Sequence, residues 1–370
     1  MILPLEGIII VEYAGGLSVS GAGLRLADLG ARVILIEERA EDSMHGNACG
    51  NDQRWNTLSF KTVNRNKERV ALDAGDAASG DTLSAWLRIA QVFVHDLPEE
   101  IIAQRGLDYA AVQAINPRIV YARVSGYGPN TVMGTGPASD LVVQAVSGLC
   151  YTTGNRSDPP TPFGLGIGDY LCGQQAVQFI IAALIRAKKN GKGALLELSL
   201  FETLIDFQFE FLTTFFESGS TPVRAEVNNA NALLSAPYGI YSTRDGCIAI
   251  AMMPLKQLNS ALQCAALDAF KEEEAFSKRD EIKEVIAEHL SAETTAYWLQ
   301  RTRALDLWVM PVLDWDAMRA TEGYKVLQME QQITADNGTS FVTTRCPIRI
   351  NGERLFAPSP HAIPPVPVFR

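Results

Sequence analysis

Short runs of β-branched and aliphatic residues, separated by helix-patterned stretches, recur through the first half of the chain. They are Gly7-Ile8-Ile9-Ile10-Val11, Val33-Ile34-Leu35-Ile36, Val92-Phe93-Val94 and Ile119-Val120-Tyr121-Ala122-Arg123-Val124. Strands of this kind have no polar face, so they need cover on both sides, which a parallel sheet between helical layers provides. Between the first two runs, Gly21 to Gly30 sets Leu24, Leu26, Ala27 and Leu29 at the spacing of a short helix packed on that sheet. The beginning of the chain is therefore read as a Rossmann-like α/β domain.

Further along, Asp169 to Arg186 reads as a long, largely buried helix, stopped by the Lys188 to Gly193 cluster and followed by a strand over Ala194 to Leu200. Residues 201–217 look helical again. A polar stretch then runs from Ser220 to about Leu234. Tyr238-Gly239-Ile240-Tyr241 and Cys247 to Met252 flank an Asp245-Gly246 turn, the signal of a hairpin. Charged helices follow to about residue 305, and the tail from about 325 is short-stranded. At 370 residues the chain exceeds a comfortable single core, and about two domains are expected.

The balance of 32 basic against 42 acidic residues, a net charge of -10, argues against a nucleic-acid partner. Six scattered cysteines without a Cys-x-x-Cys pair read as buried reduced thiols, with no metal site. The opening residues lack the basic flank of a signal peptide, and the longest apolar run, Ala176 to Leu184, is about half of what a bilayer crossing needs. A cytoplasmic protein without membrane contact is expected.

The glycines before the first helix imitate a dinucleotide fingerprint, but Gly21-Ala22-Gly23 is followed by Leu24-Arg25-Leu26, and the third glycine is missing. The four histidines, His45, His95, His289 and His361, have no Ser, Cys or Asp companion at a catalytic spacing, and each is read as a surface or loop residue. Asp169 is different in its setting. In Gly164-Leu165-Gly166-Ile167-Gly168-Asp169, alternate glycines clear the approach to a carboxylate at the head of a helix. The local pattern by itself favours a helix cap.

Over nearly its whole length the chain resembles the class III CoA-transferases, the formyl-CoA transferase and carnitine CoA-transferase (CaiB/BaiF) type. Pro4-Leu5-Glu6-Gly7, Ala27 to Ile34, Asn64-Arg65-Asn66-Lys67-Glu68-Arg69-Val70-Ala71-Leu72-Asp73, Gly106-Leu107-Asp108-Tyr109, Ile115 to Tyr121 and Ser125-Gly126-Tyr127-Gly128 match in order. The match resumes at Ala236-Pro237-Tyr238-Gly239, Met310-Pro311-Val312 and Cys346-Pro347-Ile348-Arg349.

The resemblance implies a nucleophilic role for Asp169, which would carry acyl and CoA groups in turn between an acyl-CoA donor and a small carboxylic acid acceptor, with no tightly bound cofactor. It implies active-site glycines at Gly166 and Gly168, and CoA contacts at Leu17, Ser18, Arg39, Leu72, Asp96 and Gln104. A large Rossmann-like domain from residues 1–200 and 330–370 is implied, with a smaller α+β domain at 225–315, linkers at 201–224 and 316–329, and an interlocked homodimer. The racemase branch carries a histidine where Ser139 precedes Asp140, which disfavours isomerase activity. Glu38, Asp96 and Gln104 replace residues that usually favour the phosphates of CoA. They motivate an alternative, a non-catalytic or specialised subunit of a heteromeric CoA-transferase.

Overall fold

The computed structural model describes residues 2–38, 53–72, 77–129, 131, 133, 138–334 and 340–357. The chain forms two compact units. The first gathers Met1–Val143, Gly166–Leu204 and Val326–Arg370; the second gathers Gln144–Leu165 and Ile205–Lys325.

The first unit is built on strands β1 (Ile9–Tyr13), β2 (Arg32–Glu38), β3 (Lys67–Leu72), β4 (Val92–His95), β5 (Val120–Ser125) and β6 (Ala194–Ser199). They form one sheet in the order β3-β2-β1-β4-β5-β6, every pair parallel, with Ile10 opposite both Val33 and Val92. The order reverses direction between β1 and β4. In doubly wound sheets that switch point, at the carboxyl ends of the strands, opens the crevice in which ligands bind.

The helices of this unit are α1 (Leu17–Asp28), α2 (Gln53–Val63), α3 (Ala77–Ile89), α4 (Glu99–Arg105), α5 (Tyr109–Ile115), α6 (Asp140–Val146, reaching into the second unit) and α7 (Ile167–Asn190). Val11, Tyr13, Ile34, Ile36, Phe93 and Tyr121 pack with Trp86, Leu87, Ile102 and Val112 from α3, α4 and α5. The alternate residues Ile10, Val33, Leu35, Val92 and Val94 are buried too. Both faces are covered, as the unbroken apolar runs require.

The charged β3, which has no apolar run, is held by its ion pairs. Lys67 is wholly buried and spends its three donors on Glu12 Oε1 at 2.6 Å, Asn64 Oδ1 at 2.8 Å and the Ser20 carbonyl at 2.9 Å. Burial pushes the Glu12 carboxyl up and the Lys67 ammonium down, and their contact opposes both shifts. Beside them, Arg65 and Asn66 both donate to Asp28, at 3.1 and 2.9 Å. The Asn64-Arg65-Asn66-Lys67 motif is thus a clamp that ties both ends of α1 to the sheet.

In the second unit, α8 (Leu200–Phe207, which begins in the first) and α9 (Phe209–Ser218) lead to an antiparallel sheet of β7 (Gly239–Ser242), β8 (Cys247–Ile250) and β9 (Val309–Pro311). The hairpin is where the Asp-Gly signal put it. Helices α10 (Leu255–Leu262), α11 (Arg279–Ser291) and α12 (Thr295–Arg303) pack Leu258, Ile282, Ile286 and Trp298 against Tyr241, Ile248 and Ile250. The polar stretch before β7 is irregular. Its carbonyls are bound by Arg279, which donates to Val223 and Ala232, and by the buried Lys283, which donates to Asn228 at 3.1 Å. Residues 201–217 are largely helical, as their pattern suggested, and 144–165 group with the second unit. No helix among the described residues is long and apolar enough to cross a membrane.

Lys67→Met should strand the buried Glu12 charge and cost about 3–5 kcal/mol, whereas the double variant Glu12→Leu/Lys67→Met should recover most of it. Denaturant unfolding followed by circular dichroism checks both.

Candidate active site

Between β1 and α1 the chain turns through Gly15-Gly16, and the first amides of α1 have no partner within the helix. Asp96, just beyond β4, binds the two amides that lead into them: Gly15 N–H donates to Oδ1 at 2.9 Å and Gly16 N–H to Oδ2 at 2.6 Å. These are the amides that a dinucleotide pyrophosphate would take in a Rossmann unit. A carboxylate of the chain's own already satisfies them, so the dinucleotide reading fails on geometry as well as on spacing.

The turn that presents Asp96 is fixed by His95, and here one expectation is overturned. His95 is fully buried in β4 rather than placed at the surface. Its Nε2 faces the Tyr121 hydroxyl at 2.7 Å, the Leu97 N–H donates to Nδ1 at 3.2 Å, and Tyr121 donates to the Leu107 carbonyl at 2.8 Å. These partners assign the proton to Nε2 and keep the ring neutral; burial, reinforced by Arg123, lowers its pKa to about 3. A lone histidine in sequence conceals such a role because its partner lies on the next strand. His289, on α11, is half-buried and faces the Leu262 carbonyl at 2.9 Å. His45 and His361 lie outside the described residues.

Helix α7 starts two residues earlier than the sequence suggested, with Gly166 as its N-cap and no side-chain cap. Asp169 is its third residue, and its carboxylate does not cap the helix. Instead Asp140, the first residue of α6, accepts the Asp169 N–H through Oδ1 at 3.0 Å. A Cβ on Gly168 would sit 2.9 Å from that same oxygen, so a larger residue would push Asp140 away. With its backbone satisfied from outside, the Asp169 side chain is released to turn toward α1, where the Ser18 hydroxyl donates to its Oδ1. The cap reading is corrected by this exchange of roles between two aspartates.

Helix α7 comes this close to α1 because Gly173, one turn on, carries no side chain. A Cβ there would meet the Ser18 carbonyl oxygen at 2.6 Å. Ser18 itself is only 3% exposed. Burial raises the Asp169 carboxyl above the usual carboxylate range; the Ser18 hydroxyl and backbone N–H pull it down, while the negative charges of Asp140 and Asp96 raise it further. Cys172, on the same helix, is wholly buried, and its thiol is pushed up to about 11. Buried thiols were expected, and Cys150, Cys264 and Cys346 fit, whereas Cys247 is only half-buried.

The structure thus assembles Ser18, Asp96, Gly166, Gly168 and Asp169, with the exposed Leu17 beside Gly166. Leu72 is spent in the apolar core, and Gln104 is exposed on α4. Arg39 lies outside the described residues, as does the side chain of Glu38. Two residues went unassigned in sequence. Asp140 served only as a landmark for Ser139, which gives its backbone carbonyl to Val143. Arg105, adjacent to Gln104, places its guanidinium 5.4 Å from the Tyr13 ring at the end of β1, so α4 keeps a cation one position along.

Residues 5–366 match the model of CoA-transferase family III. The chain belongs to that family. It is 28% identical to the acetyl-CoA:oxalate CoA-transferase of Acetobacter aceti, over 84% of this chain and 81% of the relative. It is 25% identical to the succinate–glutarate CoA-transferase of Agrobacterium fabrum, over 93% of this chain and 89% of the relative. In fold it superposes on a CaiB/BaiF family protein from Brucella suis with a TM-score of 0.81 at 22% identity, covering 97% and 96% of the two chains. Family III membership makes the protein a class III CoA-transferase, acting between carboxylic acids with CoA thioesters as substrates.

The electrostatic account fixes two opposite shifts. Ser18→Ala should raise the Asp169 pKa further by removing a donor to the ionised form, and Asp96→Asn should lower it by removing a nearby negative charge. Carboxyl NMR titration of carbon-13 aspartate-labelled protein, assigned against Asp169→Asn, reads both directions.

Proposed function

We propose that Asp169 is the covalent nucleophile of the transfer. Its carboxylate attacks the donor thioester carbonyl and expels CoA thiolate, giving a mixed anhydride. The thiolate then attacks the aspartyl carbonyl, releases the donor acid and leaves an aspartyl-CoA thioester. The acceptor carboxylate displaces CoA thiolate from that thioester, forming a second anhydride. Attack of the thiolate on the acceptor's acyl carbon completes the exchange and regenerates Asp169. Each acyl bond is traded for another of similar energy, and no electron leaves or enters.

The observation that carries this reading is the release of Asp169 from capping duty. A carboxylate whose helix end is satisfied by Asp140, which sits in a partly buried setting and is oriented by one hydroxyl, has a less hydrated and more reactive oxygen than a surface aspartate. Relatives named for oxalate and glutarate transfer support a small dicarboxylate as acceptor and a short acyl-CoA as donor. The bond from Asp96 to the Gly15 and Gly16 amides supports CoA phosphates that bind away from this turn, with Arg105 as a candidate contact. The non-catalytic subunit gains no support beside an intact Asp169 setting.

An interlocked homodimer accords with the side chains left uncovered in the single chain. Trp308, Trp315, Phe209 and Phe216 of the second unit and Tyr170, Phe179 and Ile185 of α7 are all exposed, more large apolar surface than a lone subunit ordinarily leaves in water.

Purified protein tested with acetyl-CoA or succinyl-CoA against oxalate, succinate and glutarate should transfer CoA to at least one acid. Asp169→Asn should lower that rate by at least about 10^4-fold with thermal stability retained. Transfer undiminished in Asp169→Asn would refute the assignment.

A further inference from the structure

Among the groups that surround Asp169, the Ser18 hydroxyl has so far only oriented the resting carboxylate. It is buried, it stands in the first turn of α1, and it donates to Oδ1 of Asp169. Asp140 cannot stand in for it, being an acceptor that takes the Asp169 N–H. The position of the hydroxyl is set by the backbone: the Ser18 carbonyl oxygen lies so close to Gly173 that an added Cβ would meet it at 2.6 Å, which brings the first turn of α1 up against α7.

We propose that Ser18 is the oxyanion donor for the two half-reactions that take place at the aspartyl carbonyl carbon. The proposal rests on Asp169 being the nucleophile and adds what Ser18 does to it. With Oδ1 held by the hydroxyl, Oδ2 is the oxygen that forms the new bond to the donor acyl carbon. Oδ2 then leaves with the donor acid when CoA thiolate attacks the anhydride, and Oδ1 remains as the carbonyl oxygen of the aspartyl-CoA thioester.

When the thiolate adds to the aspartyl carbon, and again when the acceptor carboxylate adds to the thioester, the carbonyl π pair moves onto Oδ1. The hydrogen bond from Ser18 strengthens as that charge grows and relaxes as the C–O or the C–S bond breaks. The same bond has the opposite effect on attack by the resting carboxylate, because stabilising the ion lowers its nucleophilicity. Ser18 therefore favours the steps at the aspartyl carbon over those at the substrate carbon. The close backbone approach that Gly173 allows keeps the hydroxyl within reach of Oδ1.

The test uses the full chain and separates the half-reactions. Enzyme is charged with acyl-CoA, and the aspartyl-CoA adduct is quantified by intact mass; acceptor acid is then added and loss of the adduct is followed by rapid quench. In Ser18→Ala loss of the adduct, which begins at the aspartyl carbon, should slow by about ten- to hundred-fold, with the donor KM unchanged and the melting temperature held. Ser18→Cys, close in size but a weaker donor, should fall between alanine and wild type.

Loss of the adduct within two-fold of wild type in both variants would overturn the proposal. So would a slowdown that comes with a raised donor KM and a lowered melting temperature, the mark of loosened packing. If the wild-type enzyme never acquires the CoA mass, the nucleophile assignment fails first and takes the proposal with it.

Discussion

The structure turns on the close crossing of α1 over α7 at Gly173. A helix pair separated by one more methyl group would still fold as an α/β layer, but it would lift Ser18 away from Asp169. Everything at the site is referred to this contact. The clamp of Arg65 and Asn66 on Asp28 and of Lys67 on Glu12 and Ser20 fixes α1 to the sheet, and Asp140 fixes the start of α7. The carboxylate lies between two elements that cannot easily move, which is the preorganisation that charge development in a transition state rewards.

Much of the scaffold was legible in the residues, and the exceptions have a common cause. Strands β1, β2, β4 and β5 announce themselves because unbroken aliphatic runs belong only in a covered parallel sheet. Strand β3 does not, since Lys67-Glu68-Arg69 looks like a solvated segment until Glu12, on a distant strand, is seen to neutralise Lys67 in the interior. The helix was read only from Gly21, four residues after α1 begins, for a similar reason. Its serines and glycines are poor local helix formers, and the reasons for them are distant in sequence: Ser18 lies against Gly173 of α7, and Gly23 leaves room for Glu12 and Lys67. Local propensity was overruled by tertiary contact in both places.

The site was legible to a lesser degree. Asp169 stood out by its glycines, but its local position pointed to capping, and only the resemblance pointed to chemistry. Asp140, 29 residues earlier in the chain, accepts the Asp169 N–H, a pairing that no local spacing announces. His95 was misjudged because nothing near it in sequence reveals Tyr121. Asp96 was read as a lost contact for phosphate, and it does more. By occupying the Gly15 and Gly16 amides it closes the dinucleotide route of the Rossmann sheet and biases Asp169 toward its neutral form. The same topology that serves hydride-transfer cofactors elsewhere is here turned to a carboxylate.

Oxygen exchange probes the covalent role most directly, since every transfer through an anhydride must leave one acceptor oxygen on the aspartate. Enzyme cycled with acyl-CoA and an oxygen-18-labelled acceptor acid, then digested, should carry the label in the peptide 157–186, and fragmentation should place it on Asp169 rather than Asp158. A peptide that stays unlabelled after many turnovers, while product acyl-CoA accumulates, would contradict the account.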